Sequence, residues 1–126
     1  LSGVEISGAD FSTKERQYYS GGCDVFSTVN FSGAKFVNCH FSAFLFSYSN
    51  FSSAQFYNCK FERCNFQHSS FFDAEFFAGT KFIRCTLNRA DFRCAQFVEQ
   101  TGNLFEDCEH EAAKNIIDNK LAAASN

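Results

Sequence analysis

Phe26, Phe31, Phe36, Phe41, Phe46, Phe51, Phe56, Phe61, Phe66, Phe71 and Phe76 form a series of eleven aromatics at a strict spacing of five. One residue is inserted near Gly79, and the series resumes at Phe82, Leu87, Phe92 and Phe97. A period of five is neither 3.6 nor 2, so neither one amphipathic helix nor one flat strand can keep the stripe on a single face. Each five-residue unit must make its own turn, and a chain of such units is a solenoid. Two places before the central residues stand Val29, Ala34, Cys39, Ser49, Ala54, Cys59, Cys64, Ser69, Ala74, Thr80, Cys85, Ala90 and Ala95. One large and one small inward side chain per unit fill a narrow interior at native packing density. The other three places carry Asn, Ser, Lys, Gln, Glu and Arg and face water. An ordinary β-sandwich would show alternation by two and turn signals every 8–12 residues or so, and the chain has neither. Phe44 and Asp24 break the small-residue rule. Phe44 suggests a locally widened coil, and Asp24 sits where the regular coils begin.

AlaAspPhe at 9–11 and again at 90–92 is a small residue, an Asn or Asp position and a Phe. Over residues 24–99 the chain resembles the pentapeptide-repeat family in this motif. The resemblance implies an all-β fold, a right-handed four-sided β-helix with four units per coil. Phe26, Phe46, Phe66 and Leu87 then stack on a first face, and Phe31, Phe51, Phe71 and Phe92 on a second. Phe36, Phe56, Phe76 and Phe97 stack on a third, and Phe41, Phe61 and Phe82 on a fourth. At a strand spacing of about 4.8 Å, some five coils make a rod of roughly 25 Å.

The ends depart from the pattern. Leu1, Ile6 and Phe11 are in phase, but residues 14–23 have no unit pattern and are expected to loop out, bounded by Gly21 and Gly22. From Asp107 to about Leu121, Ala112, Ala113, Ile116, Ile117 and Leu121 recur at helical spacing, behind an Asp N-cap and with Glu109 and Glu111 in the first turn. This predicts a β-helix over 1–106 and a C-terminal α-helix over 107–126 that caps the open end or dimerises, leaving the protein a monomer or a homodimer. No apolar run approaches the 18 or so residues of a membrane span, so no membrane partner is expected. The missing initiator methionine and signal peptide suggest a processed or trimmed chain. Seven cysteines, an odd number, favour buried reduced thiols and a cytoplasmic setting over a closed disulfide framework.

Catalytic chemistry is poorly represented. His40 and His68 occupy outward slots and His110 lies in the terminal segment. No GxSxG, HExxH or Gly-rich phosphate loop occurs, so neither an enzyme nor a cofactor is expected. Cys39 and Cys59 are twenty residues apart, and Cys64 and Cys85 twenty-one apart across the insertion, which places each pair on adjacent coils. Such neighbours lie within disulfide range, but no CxxC pair supplies a tetrahedral metal set, and buried thiols filling the small slot are the simpler reading. On the third face Val37, Tyr57, Phe77 and Val98 make an outward apolar stripe over four coils. Such a column marks a partner site or a surface covered by the chain's own segments. On the fourth, His40, Lys60 and Lys81, with Arg63 and Arg84, make a basic face that needs charge compensation.

FVNCHF, FYNCKF, FERCNF and FIRCTL, at 36–41, 56–61, 61–66 and 82–87, are similar to the Phe-rich group of the family that holds Qnr and the microcin B and albicidin immunity proteins. That resemblance implies a rod-shaped DNA mimic that binds and protects DNA gyrase or topoisomerase. The net charge of −3 is mild, the fourth face is basic, and no pervasive columns of carboxylates stand in for phosphates. The expected function is therefore a non-enzymatic protein-interaction module. Gyrase protection and a repeat segment of a larger effector are the alternatives, and direct nucleic-acid binding is not expected.

Overall fold

A chain with a large residue every fifth place buries all of them only if it turns a corner between one and the next, and the computed structural model shows four such corners per coil. It describes residues 3–8, 10–11, 28–99 and 102–122. The third face is a parallel sheet of β1 (Glu5–Ser7), β3 (Lys35–Val37), β5 (Gln55–Tyr57), β7 (Glu75–Phe77) and β9 (Gln96–Val98), stacked in that order. The fourth face stacks β2 (Asp10–Phe11), β4 (His40–Ser42), β6 (Lys60–Glu62), β8 (Lys81–Ile83) and β10 (Phe105–Glu106). Single parallel bridges hold the other two. Leu45, Asn65, Thr86 and Glu109 bridge successively on the first face, and Asn30, Asn50, Ser70, Asp91 and Lys114 on the second. The register is the one that the spacing predicts, with Phe36 opposite Phe56 and Phe56 opposite Phe76. Ile6, however, pairs with Phe36 thirty residues on, ten more than one coil needs. The expected loop at 14–23, Asp24 and Phe26 lie outside the described residues.

Inside, each column is a stack of rings. Phe36, Phe56 and Phe76 are stacked with centroids 5.1 Å apart, and Phe51, Phe71 and Phe92 at 4.9 and 4.6 Å. Neighbouring columns meet edge-on, as between Phe56 and Phe61 at 5.7 Å, so the rings fill the square cross-section in the offset and T-shaped geometries that aromatics favour. Phe44, the expected exception, is buried edge-on against Phe41 at 5.3 Å.

The corners come in two kinds, and the small inward residue records which. After the first and second faces the backbone N–H of the small residue donates to the carbonyl of the central residue three places back, as in Ala34 to Phe31 and Ser49 to Phe46. The third residue of these turns has positive φ (Ser53 59°, Tyr48 61°), the geometry of a type II turn. An Asn or Asp before the central residue braces the turn: Asn50 Oδ1 accepts from Ser52 N–H at 2.9 Å, and Asp91 Oδ1 from Arg93 N–H at 3.0 Å. After the third and fourth faces most corners are wider, and the small slot holds Cys39, Cys59, Cys64, Cys85 or Cys108. Each of these thiols lies on the carbonyl of the central residue one coil below, for example Cys59 Sγ on Phe36 at 3.3 Å and Cys85 Sγ on Phe61 at 3.2 Å. Thr80 and Ser69 do the same with hydroxyls, at 3.1 and 2.7 Å. The one-residue insertion is absorbed at Ala78 and Gly79. Gly79 has φ +88°, and a Cβ there would run into the Asn58 side chain.

The expected C-terminal α-helix is not formed. Residues 102–115 build a fifth rung after a three-residue insertion, with Phe105 paired over Phe82, Glu109 bridged to Thr86 and Lys114 to Asp91. That register puts His110 in the column of Leu87 and Asn115 in the column of Phe92, where Asn115 Nδ2 donates to the Phe92 carbonyl at 3.2 Å. Asp107, the expected N-cap, is a corner residue with φ +52°. An antiparallel hairpin follows, β11 (Ile116–Ile117) against β12 (Lys120–Leu121), joined by Asp118 and Asn119 with φ +52° and +62°. Two successive positive φ values make the type I′ turn that suits a tight hairpin and cannot continue a helix. Ile116 and Leu121 are buried in the same core as the aromatic columns, so this hairpin does the covering expected of the helix. Phe97, expected in the core, is 44% exposed because no described rung lies over it. Among the described residues no helix is long and apolar enough to cross a membrane.

Candidate interaction surfaces

On the third face, strand alternation turns the central Phe inward and the residue after it outward, which brings Val37, Tyr57, Phe77 and Val98 into one column. All four are half-buried. The Tyr57 and Phe77 rings lie nearly parallel, with centroids 4.1 Å apart, closer than the stacked pairs of the core. Lys35 Nζ sits 5.1 Å from the Tyr57 centroid, a cation–π contact. Polar ladders flank the stripe, with Asn58 Nδ2 donating to Asn38 Oδ1 at 2.9 Å on one side and Gln55 Nε2 to Glu75 Oε1 at 2.9 Å on the other. An apolar centre with a hydrogen-bonding rim is the layout of a protein interface. The terminal segment, one of the expected covers, instead commits Ile116 and Leu121 to the core.

The fourth face brings His40, Lys60 and Lys81 into one register, as the spacing predicts. Compensating acids lie among them: Glu62, which the sequence did not single out, and Glu106, which the sequence groups with the acids of the terminal segment. His40 Nε2 is 2.7 Å from Glu62 Oε1, Lys60 Nζ is 3.7 Å from the same oxygen, and Lys81 Nζ is 2.6 Å from Glu106 Oε2. Burial alone would raise the Glu62 carboxyl, but the His40 hydrogen bond and the charges of Lys60, His40 and Arg63 outweigh it and hold it below its ordinary value. Arg63 and Arg84 follow each other at one exposed corner, both with φ +53°. This face is a charge mosaic, not a bare cationic stripe.

A third set, not singled out in the sequence, lies at and beside the second face. Tyr48 is 60% exposed and stacks on His68 at 4.7 Å, while Phe72 is 42% exposed with the Arg93 guanidinium 5.8 Å from its centroid. The signal for the first pair was the twenty-residue spacing at a turn position. Cys59 and Cys85 lie deep in the core. The thiol of Cys59 is pushed up by its neighbour Cys39 and by burial, and that of Cys85 by burial and then by its neighbours Cys108 and Cys64. Neutral S–H donors on backbone carbonyls describe structural thiols better than metal ligands. Among the described residues no group of three or more His, Cys, Asp or Glu could hold a metal ion.

A four-sided parallel β-solenoid with one large residue per five defines a repeat protein. The pentapeptide-repeat family model matches in eight copies over residues 25–63 and 49–76, so that stretch of the chain is built of pentapeptide repeats. Among solved structures it is similar to a trypsin-treated variant of QnrB1, described as a plasmid-mediated fluoroquinolone resistance protein, with a TM-score of 0.53 and 24% identity. That match covers 90% of this chain and 56% of the QnrB1 chain, so the protein spans little more than half of that relative, and the likeness is one of fold. A pentapeptide-repeat protein, Rfr23, from the cyanobacterium Cyanothece 51142 matches at a TM-score of 0.47 and 14% identity, over 97% of this chain and 86% of its own. No curated protein matches.

Proposed function

We propose that the protein is a non-enzymatic interaction module of a reducing compartment, and that the third face is its recognition surface. The observation that carries this reading is the outward column of Val37, Tyr57, Phe77 and Val98, with Tyr57 and Phe77 stacked at 4.1 Å. An aromatic pair contributes about 0.5–1.5 kcal/mol to its own rungs, but a four-rung apolar column half-open to water is best explained by a partner that completes its burial. The test is the double variant Tyr57→Ser, Phe77→Ser in quantitative capture against the unaltered protein. A recognition surface predicts a partner enriched by the native chain and lost by the variant, with melting lowered only by the modest stacking term. A variant that captures the same partner equally well removes the third face from the reading.

A second reading follows from the fold it shares with QnrB1, a fluoroquinolone resistance protein. In this reading the partner is DNA gyrase or another topoisomerase. The mosaic of the fourth face argues against a full DNA mimic, since His40, Lys60 and Lys81 occupy a column where phosphate-like carboxylates would be needed. A supercoiling assay with a quinolone decides it: protection by the native chain supports the reading, and unchanged inhibition excludes it.

A further inference from the structure

Among the described residues no strand pairs with the upper edge of β9, the last strand of the third-face sheet, and the chemistry of that edge specifies what would close it. In each lower rung the carbonyl of the small residue accepts from the next coil, as Ala34 does from Gln55, Ala54 from Glu75 and Ala74 from Gln96, at 2.9 Å in each case. At the corner the N–H of Asn38 donates onward to Tyr57 O at 2.8 Å. The equivalent groups of the last rung are the carbonyl of Ala95 and the N–H of Glu99, and no described residue pairs with either. Phe97, the ring between them, is 44% exposed, whereas Phe56 and Phe76 below it are fully covered. A strand edge with a half-bare core ring is a template for strand addition.

Charge narrows the occupant. Two places after Phe97 stands Glu99, an exposed corner residue with φ +54° and no described partner. From Glu99 to Ala113 the chain carries Asp107, Glu109 and Glu111, with Glu106 already paired to Lys81, and the next cations are Lys114 and Lys120. A parallel strand laid on β9 puts its own residue two places after the centre over Glu99, where a cation is favourable and an anion is not. The opposite edge strand of the same sheet, β1, reads Ile6, Ser7, Gly8, with no cation at the required place, so a second copy does not supply the pattern. We infer that β9 accepts an extended segment of another protein, added as a parallel sixth strand, with a large apolar residue over Phe97 and Lys or Arg over Glu99. This site is at the end of the rod and does not depend on the outward stripe.

The probe is a blocked heptapeptide, Ser-Ala-Gln-Phe-Val-Arg-Gly, titrated into the full chain labelled with 15N and followed by amide shifts. Saturable shifts confined to residues 95–99 and their neighbours are expected. Methylating the peptide's Gln nitrogen, which stands where Gln96 donates to the Ala74 carbonyl, or replacing the Phe by Asp, should abolish them. Glu99→Lys should weaken binding about twofold to fivefold, the range of an exposed ion pair, and a peptide with Glu in place of Arg should regain the loss. Val98 and Glu99 are surface positions, so a circular dichroism spectrum matching the native one will show that Glu99→Lys folds. No saturable shift at millimolar peptide, shifts mapping elsewhere, or equal binding of the N-methylated peptide overturns the inference.

Discussion

Within one column, Phe56→Ala and Phe97→Ala should differ by about a factor of two in cost. Phe56 is wholly buried, stacked at 5.1 Å on Phe36 below and Phe76 above, and edge-on to Phe61 at 5.7 Å. Burying a phenylalanine removes roughly 150–250 Å² from water, about 4–6 kcal/mol at ~25 cal/mol per Å². Alanine keeps part of that and leaves a cavity that stacked backbones cannot close, so a loss of about 3–5 kcal/mol is expected. Phe97 is 44% exposed and has no described rung above it, so its removal should cost roughly 1.5–2.5 kcal/mol by the same area argument. Urea unfolding followed by circular dichroism gives both values, provided that the m-value is unchanged between variants. Equal costs would show that Phe97 is covered in solution. A loss below about 1 kcal/mol for Phe56→Ala would refute the inward stacking itself.

Thiol titration in denaturant without reductant should count all seven cysteines, and only three would establish two disulfides. Of the six described cysteines in the native protein, Cys94, the exposed one, should react first, while Cys85, its thiol raised by burial, should stay unreactive into mildly alkaline solution. Acid should destabilise the fold through Glu62 and Asp91. Each is held below its ordinary value, 4.5 and 3.8 respectively, because its cationic neighbours outweigh burial. A lowered folded pKa gives stability that is present above the unfolded pKa and lost as pH falls through the folded one. The urea midpoint should therefore hold from pH 7 to about 5 and fall below about 4, and Glu62→Gln should flatten part of that fall.

The period of five made the columns, the register and the outward stripe legible, because one large and one small inward residue per unit leave the backbone a single repeating solution. It did not show the two kinds of corner. Yet the signal was present: Ala or Ser after the first and second faces, and Cys or Thr after most third- and fourth-face corners, where a thiol or hydroxyl takes a carbonyl from the coil below. The C-terminal segment misled for a physical reason. Ala112, Ala113, Ile116, Ile117 and Leu121 satisfy helical spacing, but Asp118 and Asn119 tolerate the positive φ that folds Ile116 and Leu121 back against the core. Phe105 and Cys108, twenty-three residues after Phe82 and Cys85, were the sign that the coil continues. A three-residue insertion hid it from a strict spacing of five. The compensation of the basic face was equally hidden, because Glu62 reaches back to His40 across a coil that the linear sequence separates by 22 residues.

Site-specific photo-crosslinking tests most directly the claim that the third face is the recognition surface. With p-benzoylphenylalanine in place of Tyr57, and separately in place of Tyr48 at the opposite corner, irradiation in a lysate under matched conditions should attach one partner of defined mass at the first position and none at the second. Equal crosslinking from both positions, or a product from Tyr48 alone, would contradict the account.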